Sequence, residues 1–367
     1  MDATHSRTYL PASSQTPQAL AGPDAWHGEQ LRNESRWHFS LDTLDVAAIE
    51  SAVVTLRRTA PNATWQDLRH QDDFPISLGL SKKLADVAHE LEHGRGVANL
   101  SGLPVERYSD DVIGLIWMGL ARHLGTPLPQ DYRGLLMRDI TDEQRDTDQA
   151  MGHVLRARDG SLFTSSKART ASNGPLRFHT DRADVVGLLC VHGAREGGVS
   201  KIASSVTVHN VLLSTRPDLA RVLYEPYARS RHGEELGGEA QSYDLPVFGV
   251  RDGRFTSHYS RTYVEAAQEL ASVARMSPLQ WEALDALAAV AEEVCFETTM
   301  AVGDMQFLNN HVIYHARTAY QDSPDSRRCL RRVWLSVPTS RALPVEHAVL
   351  WKNVEAGTLR GGIAPAK

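Results

Sequence analysis

The sequence of 367 residues lacks the features that would place a protein in a membrane, in an oxidising compartment or on nucleic acid. Its three cysteines, Cys190, Cys295 and Cys329, have no framework spacing, so we expect reduced thiols. No apolar run is long enough to span a bilayer, and the amino terminus lacks a basic and then apolar signal pattern. The net charge of −6 gives no basic footprint for nucleic acid. We therefore predict a cytoplasmic protein without nucleic-acid or membrane partners, and the oligomeric state stays open.

The composition and spacing of the sequence predict a flexible amino-terminal arm followed by one folded domain. Residues 1–28 are rich in Pro, Ser, Ala and Gln, which is typical of a poorly ordered segment, and residues 29–367 form the predicted domain. Helical spacing appears over residues 41–58 and after the capping residues Ser109 and Ser277. Short strands are predicted at residues 185–191, 201–205, 245–250, 254–259, 305–309 and 329–337. Such strands with flanking helices predict a mainly β protein with a double-stranded β-helix (jelly-roll) core.

A His-x-Asp pair, His179 and Asp181, suggests a metal site. In a β-strand, residues i and i+2 project from the same face, so the imidazole and the carboxylate would converge. A second histidine would complete a 2-His-1-carboxylate face, which leaves coordination positions of ferrous iron open. His311 and His315 both qualify, and their spacing does not choose between them, since they would share a face in a helix or a strand.

Residues 327–335 are rich in arginine. Read with period two, Arg328, Leu330, Arg332 and Trp334 share one face of a strand. An arginine in a partly apolar pocket suits bidentate binding of a carboxylate. The alternative is a basic edge strand that discourages aggregation. The histidines just upstream favour a strand that binds a dicarboxylate.

With these motifs the chain resembles the Fe(II)/2-oxoglutarate-dependent dioxygenases of the taurine dioxygenase family, over roughly residues 94–337. The resemblance implies His179, Asp181 and His315 as iron ligands, and it leaves His311 as a packed or supporting histidine. It implies that Arg332 binds the distal carboxylate of 2-oxoglutarate.

The same resemblance gives Ser200 and Arg328 parts in binding the cosubstrate. Ser200 follows a Gly-Gly pair, where many family members have Thr, and would help Arg332 hold the distal carboxylate. Arg328 would lie near the keto-acid end. The implied reaction uses Fe(II), 2-oxoglutarate and O₂ to oxidise a C–H bond, with release of succinate and CO₂. Hydroxylation is the default outcome, and desaturation, cyclisation or epoxidation are alternatives.

The substrate is predicted to be a small polar metabolite. Arg182 and Asp184 follow the ligand pair, where family members line the substrate pocket, although a local salt bridge between them is an alternative. A charged side chain beside a purely apolar substrate would be costly. Rough placement adds further pocket candidates: Gln130, Tyr132, Asn173, Tyr259 and Tyr263.

Two other functions compete with this interpretation. A zinc hydrolase or lyase would use the same ligands, with His311 as an added base, but it leaves Arg328, Arg332 and Ser200 unexplained. A non-catalytic jelly-roll binding protein would merely pack its histidines, and would bind no stoichiometric metal.

Overall fold

The computed structural model describes residues 17–143, 154–156, 162–164, 171–231, 239–324 and 327–364. The helices of these residues are α1 (Gly28–Arg32), α2 (Thr43–Thr59), α3 (Leu78–His93), α4 (Asp110–Leu124), α5 (Ser205–Thr215), α6 (Pro217–Val222), α7 (Arg261–Gln268), α8 (Pro278–Val294) and α9 (Ala348–Trp351). The strands are β1 (His38–Ser40), β2 (Val97–Ser101), β3 (Thr126–Pro127), β4 (Met137–Ile140), β5 (Val154–Arg156), β6 (Leu162–Thr164), β7 (Leu176–His179), β8 (Val185–His192), β9 (Glu196–Gly197), β10 (Ser200–Ser204), β11 (Pro226–Ser230), β12 (Ser242–Pro246), β13 (Phe248–Arg251), β14 (Arg254–Ser257), β15 (Phe296–Thr298), β16 (Met305–Asn309), β17 (Ile313–Arg317), β18 (Tyr320–Gln321) and β19 (Cys329–Ser336).

The prediction of a mainly β protein is wrong, because helix accounts for 36% and strand for 24% of the structure. Mixed sheets are covered by helices that the sequence interpretation undercounted. The helix α3 is an example: Leu80, Leu84, Val87 and Leu91 are buried, and they recur at the three- and four-residue spacing of an amphipathic helix.

Two sheets build the frame of the molecule. The larger sheet has the order β1-β2-β16-β8-β19-β3, with β4 also pairing to β19, and the smaller has the order β15-β10-β17-β7. Alternating residues of the larger sheet face opposite ways. Val333 packs into the cluster with α2, α3 and α4, whereas Trp334 belongs to the cluster that holds Ile202 and Tyr314 of the smaller sheet. The space between the two sheets is therefore where Trp334 and its face of β19 point.

Several predicted strands are confirmed with small changes at their ends. Residues 185–191, 305–309 and 329–337 correspond to β8, β16 and β19. The single strand predicted at 245–250 is two strands, β12 and β13, separated at Val247. The break follows Pro246, which has no backbone N–H to continue a ladder of hydrogen bonds.

The structure begins to describe the chain at residue 17, and the amino-terminal segment contacts the body from Leu20 onward, where the backbone N–H of Leu20 donates to Asn210 Oδ1. Trp26 is 4% exposed, and its Nε1 donates a hydrogen bond to the carbonyl of Arg95. Residues 1–16 lie outside the described part, so the flexible arm stays a prediction there. In the part of the chain that the structure describes, every helix is too short or too polar to cross a bilayer.

Candidate active site

Strands β7 and β17 bring two of the predicted metal ligands together. They pair antiparallel with His179 opposite His315, and the two imidazole centroids are 4.1 Å apart. Asp181 completes the group: ligand atoms of His179, Asp181 and His315 all lie within 4.8 Å of one another, and all three residues are buried.

The position of Asp181 differs from the one expected of a shared strand face. Strand β7 ends at His179, so Asp181 lies in the following turn. Its backbone N–H donates to Oδ1 of Asn310 at 2.9 Å, and the N–H of Thr180 donates to the carbonyl of Tyr259 at 2.8 Å. Asn310 was not predicted; the only signal for it is its place in the polar segment just before His315.

The three side chains have the chemistry of a metal site. His179 Nδ1 lies 2.9 Å from the carbonyl of Arg177, which only accepts, so Nδ1 carries the proton and Nε2 offers its lone pair. Asp181 Oδ2 and His315 Nδ1 are buried and have no hydrogen-bond partner among the described residues. An orphaned carboxylate oxygen costs free energy unless a ligand satisfies it. Two imidazoles and a carboxylate are a donor set that suits Fe(II).

Burial sets the charge states in this group. It lowers the pKa of His179, and together with the neighbouring His179 it lowers the pKa of His315 to about 3, so both rings are neutral near pH 7. Burial opposes ionisation of Asp181, but Arg332 and the two histidines hold the pKa of its carboxyl below the ordinary value. Neutral imidazoles and an ionised carboxylate are the forms that bind metal.

His311 lies apart from the group, in the turn before β17. Its Nε2 is 2.9 Å from Oδ1 of Asp184, and its Nδ1 is 3.0 Å from the hydroxyl of Thr256. The ring packs on Trp351, with centroids 5.1 Å apart. His311 is thus a packed, hydrogen-bonded core residue.

The two predicted arginines lie at different ends of the space between the sheets. Arg332 is beside the metal-type group, by which we mean His179, Asp181 and His315. Its Nη1 is 3.7 Å from Asp181 Oδ1, and its Nε donates to Gln130 Oε1 at 2.7 Å. Arg328 is 6% exposed and its guanidinium lies 5.0 Å from the Tyr320 ring centroid. Its Nη1 is buried without a hydrogen-bond partner among the described residues.

Arg328 also lies beside the turn that leads to Ser200. A Cβ added at Gly198 would come within 3.0 Å of Arg328 Nε, and Gly198 has φ of +67°, a region that favours glycine. Ser200 donates from Oγ to Gln306 Oε1 at 3.2 Å. A compact polar corner is formed here, and it holds two cations, since the Arg317 guanidinium lies 4.8 Å from the same Tyr320 ring centroid as Arg328.

A cavity opens in front of His179 and Asp181. Three of the predicted pocket residues, Gln130, Arg182 and Tyr263, line it. The sequence interpretation missed other lining residues, which come from four separate parts of the chain: Arg138, the adjacent Ser230 and Arg231, Tyr243 and His258.

Four predicted pocket residues do not line this cavity. Asp184 is 1% exposed and is held by His311 and Arg360 below the site. Tyr259 is 2% exposed and packs on Tyr314, while Tyr132 is 56% exposed at the surface. Asn173 uses its carbonyl to accept from the backbone N–H of Tyr320. Strand alternation does not extend through the turn after β7, so Arg182 and Asp184 point to different surroundings.

Comparison with known proteins gives a consistent result. Residues 59–334 match the family described as taurine catabolism dioxygenase TauD, TfdA family. The chain is 29% identical to FR-33289 synthase of Streptomyces rubellomurinus over 338 residues, which cover 89% of this chain and 92% of that protein.

Two solved structures have a similar fold. Asparagine oxygenase in complex with Fe(II), 3-hydroxyasparagine and succinate has a TM-score of 0.60 at 17% identity, covering 82% of this chain and 94% of that one. The non-heme iron oxygenase OrfP in complex with Fe and alpha-ketoglutaric acid has a TM-score of 0.57 at 18% identity, with the same coverage.

Proposed function

Because the chain belongs to the taurine catabolism dioxygenase TauD/TfdA family, and is thus an Fe(II)- and 2-oxoglutarate-dependent dioxygenase, we propose that it oxidises a C–H bond of a small polar metabolite. When bound, iron, 2-oxoglutarate and O₂ supply the oxidising chemistry, with release of succinate and CO₂. Hydroxylation is the default outcome. The family match disfavours the zinc hydrolase, the lyase and the binding protein.

The iron ligands in this proposal are His179, Asp181 and His315. The observation that carries it is their convergence, with a buried Asp181 oxygen that has no hydrogen-bond partner among the described residues. Other residues of the chain orient these ligands. The Arg177 carbonyl accepts a hydrogen bond from the His179 imidazole, and Asn310 Oδ1 accepts one from the backbone N–H of Asp181. We also propose that the two facing sheets are a double-stranded β-helix, since the ligands lie at one end of the smaller sheet.

For the cosubstrate we propose that Arg328 and Arg332 have the opposite roles from those predicted from the sequence. With iron held by His179, Asp181 and His315, 2-oxoglutarate would bind with its keto-acid end toward the metal, so its distal carboxylate would lie away from these ligands. Arg332 is next to Asp181, whereas Arg328 lies beside the turn of Ser200 and has an orphaned Nη1. Arg328 with Ser200 therefore fits the distal carboxylate, and Arg332 faces the cavity where the substrate enters.

The general test of the function is anaerobic reconstitution. Protein titrated with Fe(II) and 2-oxoglutarate should develop the weak visible charge-transfer band of the chelate, and succinate should form once O₂ and a substrate are supplied. Turnover of a substrate without O₂ or 2-oxoglutarate would instead favour the hydrolase or lyase.

Substitutions of Arg328 and Arg332 distinguish their roles, because the two should change the affinity for 2-oxoglutarate to different extents. Arg328→Ala should raise the KM for 2-oxoglutarate by at least about 30-fold, since truncating one partner of a buried charge pair costs about 2–5 kcal/mol. Arg328→Lys should recover only part, because an ammonium cannot make the forked contact.

The matched variant is Arg332→Ala, which should alter 2-oxoglutarate affinity far less than Arg328→Ala does. Titration of the charge-transfer band gives both dissociation constants without a substrate. A larger loss in Arg332→Ala would restore the order predicted from the sequence.

A further inference from the structure

Thr180 lies between two of the proposed iron ligands, His179 and Asp181, and it is buried with 5% exposure. Its backbone N–H donates to the carbonyl of Tyr259 at 2.8 Å, and its Oγ1 accepts from the backbone N–H of Tyr259 at 3.1 Å. The residue that follows, Ser260, forms a β-bridge with His179. The turn that carries both ligands is therefore bound to residues 259 and 260.

A further contact to Thr180 comes from the ring of His258, whose Nδ1 lies 3.1 Å from Thr180 Oγ1. Burial, and then the neighbouring Arg229, lowers the pKa of His258 well below its ordinary value, so the ring is neutral and one of its nitrogens accepts. The other acceptor near the hydroxyl is the Tyr259 carbonyl at 3.4 Å, which already accepts from the Thr180 N–H. The hydroxyl is therefore best placed to donate to Nδ1, which leaves the ring proton on Nε2.

The backbone of His258 has anchors of its own, apart from the ligand turn. Its N–H donates to the carbonyl of Val247 at 2.9 Å, and its carbonyl accepts from Arg229 Nη2 at 2.6 Å. Arg229 is 0% exposed, and the His258 ring packs on Trp351 with centroids 6.1 Å apart. A ring that is anchored in this way gives the hydroxyl that it contacts a fixed position.

We propose that His258 is a positioning residue of the iron centre, which fixes the turn of His179 and Asp181 through the Thr180 hydroxyl. This rests on the proposed function, in which the two residues bind iron. Removing a partner that orients metal ligands typically costs about 10–100-fold in metal affinity. The role belongs to Nδ1, so a side chain that keeps a polar atom at that place should keep the role.

Asn and Gln at position 258 distinguish the two ring nitrogens, because the Asn amide lies near the place of Nδ1 and the Gln amide reaches toward that of Nε2. His258→Gln should weaken Fe(II) binding at least about tenfold, and His258→Asn should stay within about threefold of wild type. Anaerobic calorimetry with Fe(II) alone measures both constants. The charge-transfer band of the 2-oxoglutarate chelate should shift in His258→Gln and keep its position in His258→Asn.

Two results of this comparison would overturn the proposal. One is an Fe(II) affinity that His258→Gln leaves at the wild-type value. The other is the reverse pattern, in which Gln restores the affinity and Asn does not, because His258, which lines the cavity, would then act through Nε2 and not through Thr180.

A double-mutant cycle connects the effect to Thr180. Thr180→Val removes the hydroxyl at nearly constant shape and should weaken Fe(II) binding at least about tenfold, whereas Thr180→Ser should restore it. Because both side chains act through one hydrogen bond, adding His258→Gln to Thr180→Val should cost less than about twofold more. Losses that multiply independently would contradict the proposal. The Thr180 variants also test it if the His258 variants do not fold.

His209→Gln is the matched control, at another buried histidine that does not line the cavity. His209 is 0% exposed, with Nδ1 3.2 Å from Asn210 Oδ1 and Nε2 3.0 Å from the Tyr224 hydroxyl. This variant should lower the Tm and leave the Fe(II) dissociation constant and the band unchanged. A purely structural role of His258 would give the same result in His258→Gln, a lower Tm at wild-type iron affinity.

The outcomes separate this inference from the function on which it rests. If wild-type protein binds no Fe(II), or forms no chelate with 2-oxoglutarate, the proposed function fails. If wild-type protein binds iron and His258→Gln binds it as tightly, only the positioning role is overturned.

Discussion

Replacing His315 by Ala should abolish stoichiometric Fe(II) binding and all 2-oxoglutarate turnover, while the protein stays folded. His179→Ala and Asp181→Ala should do the same, since each removes one of three donors that converge within 4.8 Å. The fold should survive because Asp181 Oδ2 and His315 Nδ1 make no hydrogen bond to a described residue, and the loop of Asp181 is held by its backbone N–H, which donates to Asn310. Iron content after anaerobic loading, succinate release and circular dichroism would measure the three properties.

The matched comparison is His311→Ala, four residues earlier. His311 contacts Asp184 and Thr256 instead of the metal-type group, so this variant should retain iron and lose stability. If His311→Ala lost iron at wild-type stability while His315→Ala kept it, the assignment of the third ligand would be wrong.

The choice between these histidines shows where sequence reasoning ends. Spacing four residues apart allowed either one, and the family resemblance favoured His315. The structure separates them because β17 begins at Ile313, which puts His315 opposite His179, while His311 stays in the turn. A strand boundary, which spacing does not reveal, makes the difference.

The cavity wall was less predictable than the metal-type group. His179 and Asp181 are neighbours in sequence, so local geometry brings them together. Arg138, Arg231 and His258 reach the cavity from β4, from the end of β11 and from beyond β14. Only the pairing of strands that are distant in sequence brings these residues to the cavity. That pairing cannot be read from the spacing of residues in a single sequence.

The helical share of the fold was underestimated for a related reason. The capping box at Ser277 and Gln280 was visible in sequence and is present at the start of α8. Helix α3 has one capping hydrogen bond at Ser77, and its buried face includes the charged residues Glu90 and Glu92, so its amphipathic pattern is harder to separate from loop. Clear capping signals predict helices well, and weak ones leave the decision to tertiary packing.

Asp184 is the residue whose predicted role changed most, and it forms the centre of a buried ionic network. It is 1% exposed, receives a hydrogen bond from Arg360 Nε at 2.7 Å and lies 2.9 Å from His311 Nε2. The backbone N–H of Val337, just beyond β19, also donates to it at 3.1 Å. The Arg360 side chain is 0% exposed, so this carboxylate is a principal partner of a fully buried cation.

Asp184→Asn should lower the free energy of unfolding by about 3–5 kcal/mol, because breaking a buried pair leaves an uncompensated charge. Chemical denaturation monitored by circular dichroism measures the loss. Asp244→Asn, at an exposed carboxylate on β12, is the control and should stay within about 0.5 kcal/mol of wild type. Unchanged stability with a raised KM for substrate would return Asp184 to the pocket role predicted from the sequence.

The same network gives Asp184 a pH signature. Burial opposes its ionisation, but His311 and Arg360 hold the pKa of the carboxyl below its ordinary value in the folded state. The stabilising contribution is therefore complete above the unfolded pKa, about 3.9, and is lost as pH falls through the lower folded pKa. The gap in unfolding free energy between wild type and Asp184→Asn should be widest near neutrality and narrow in acid. A gap that stays constant as the pH falls through this range would mean that the lost stability comes from packing and not from the charge.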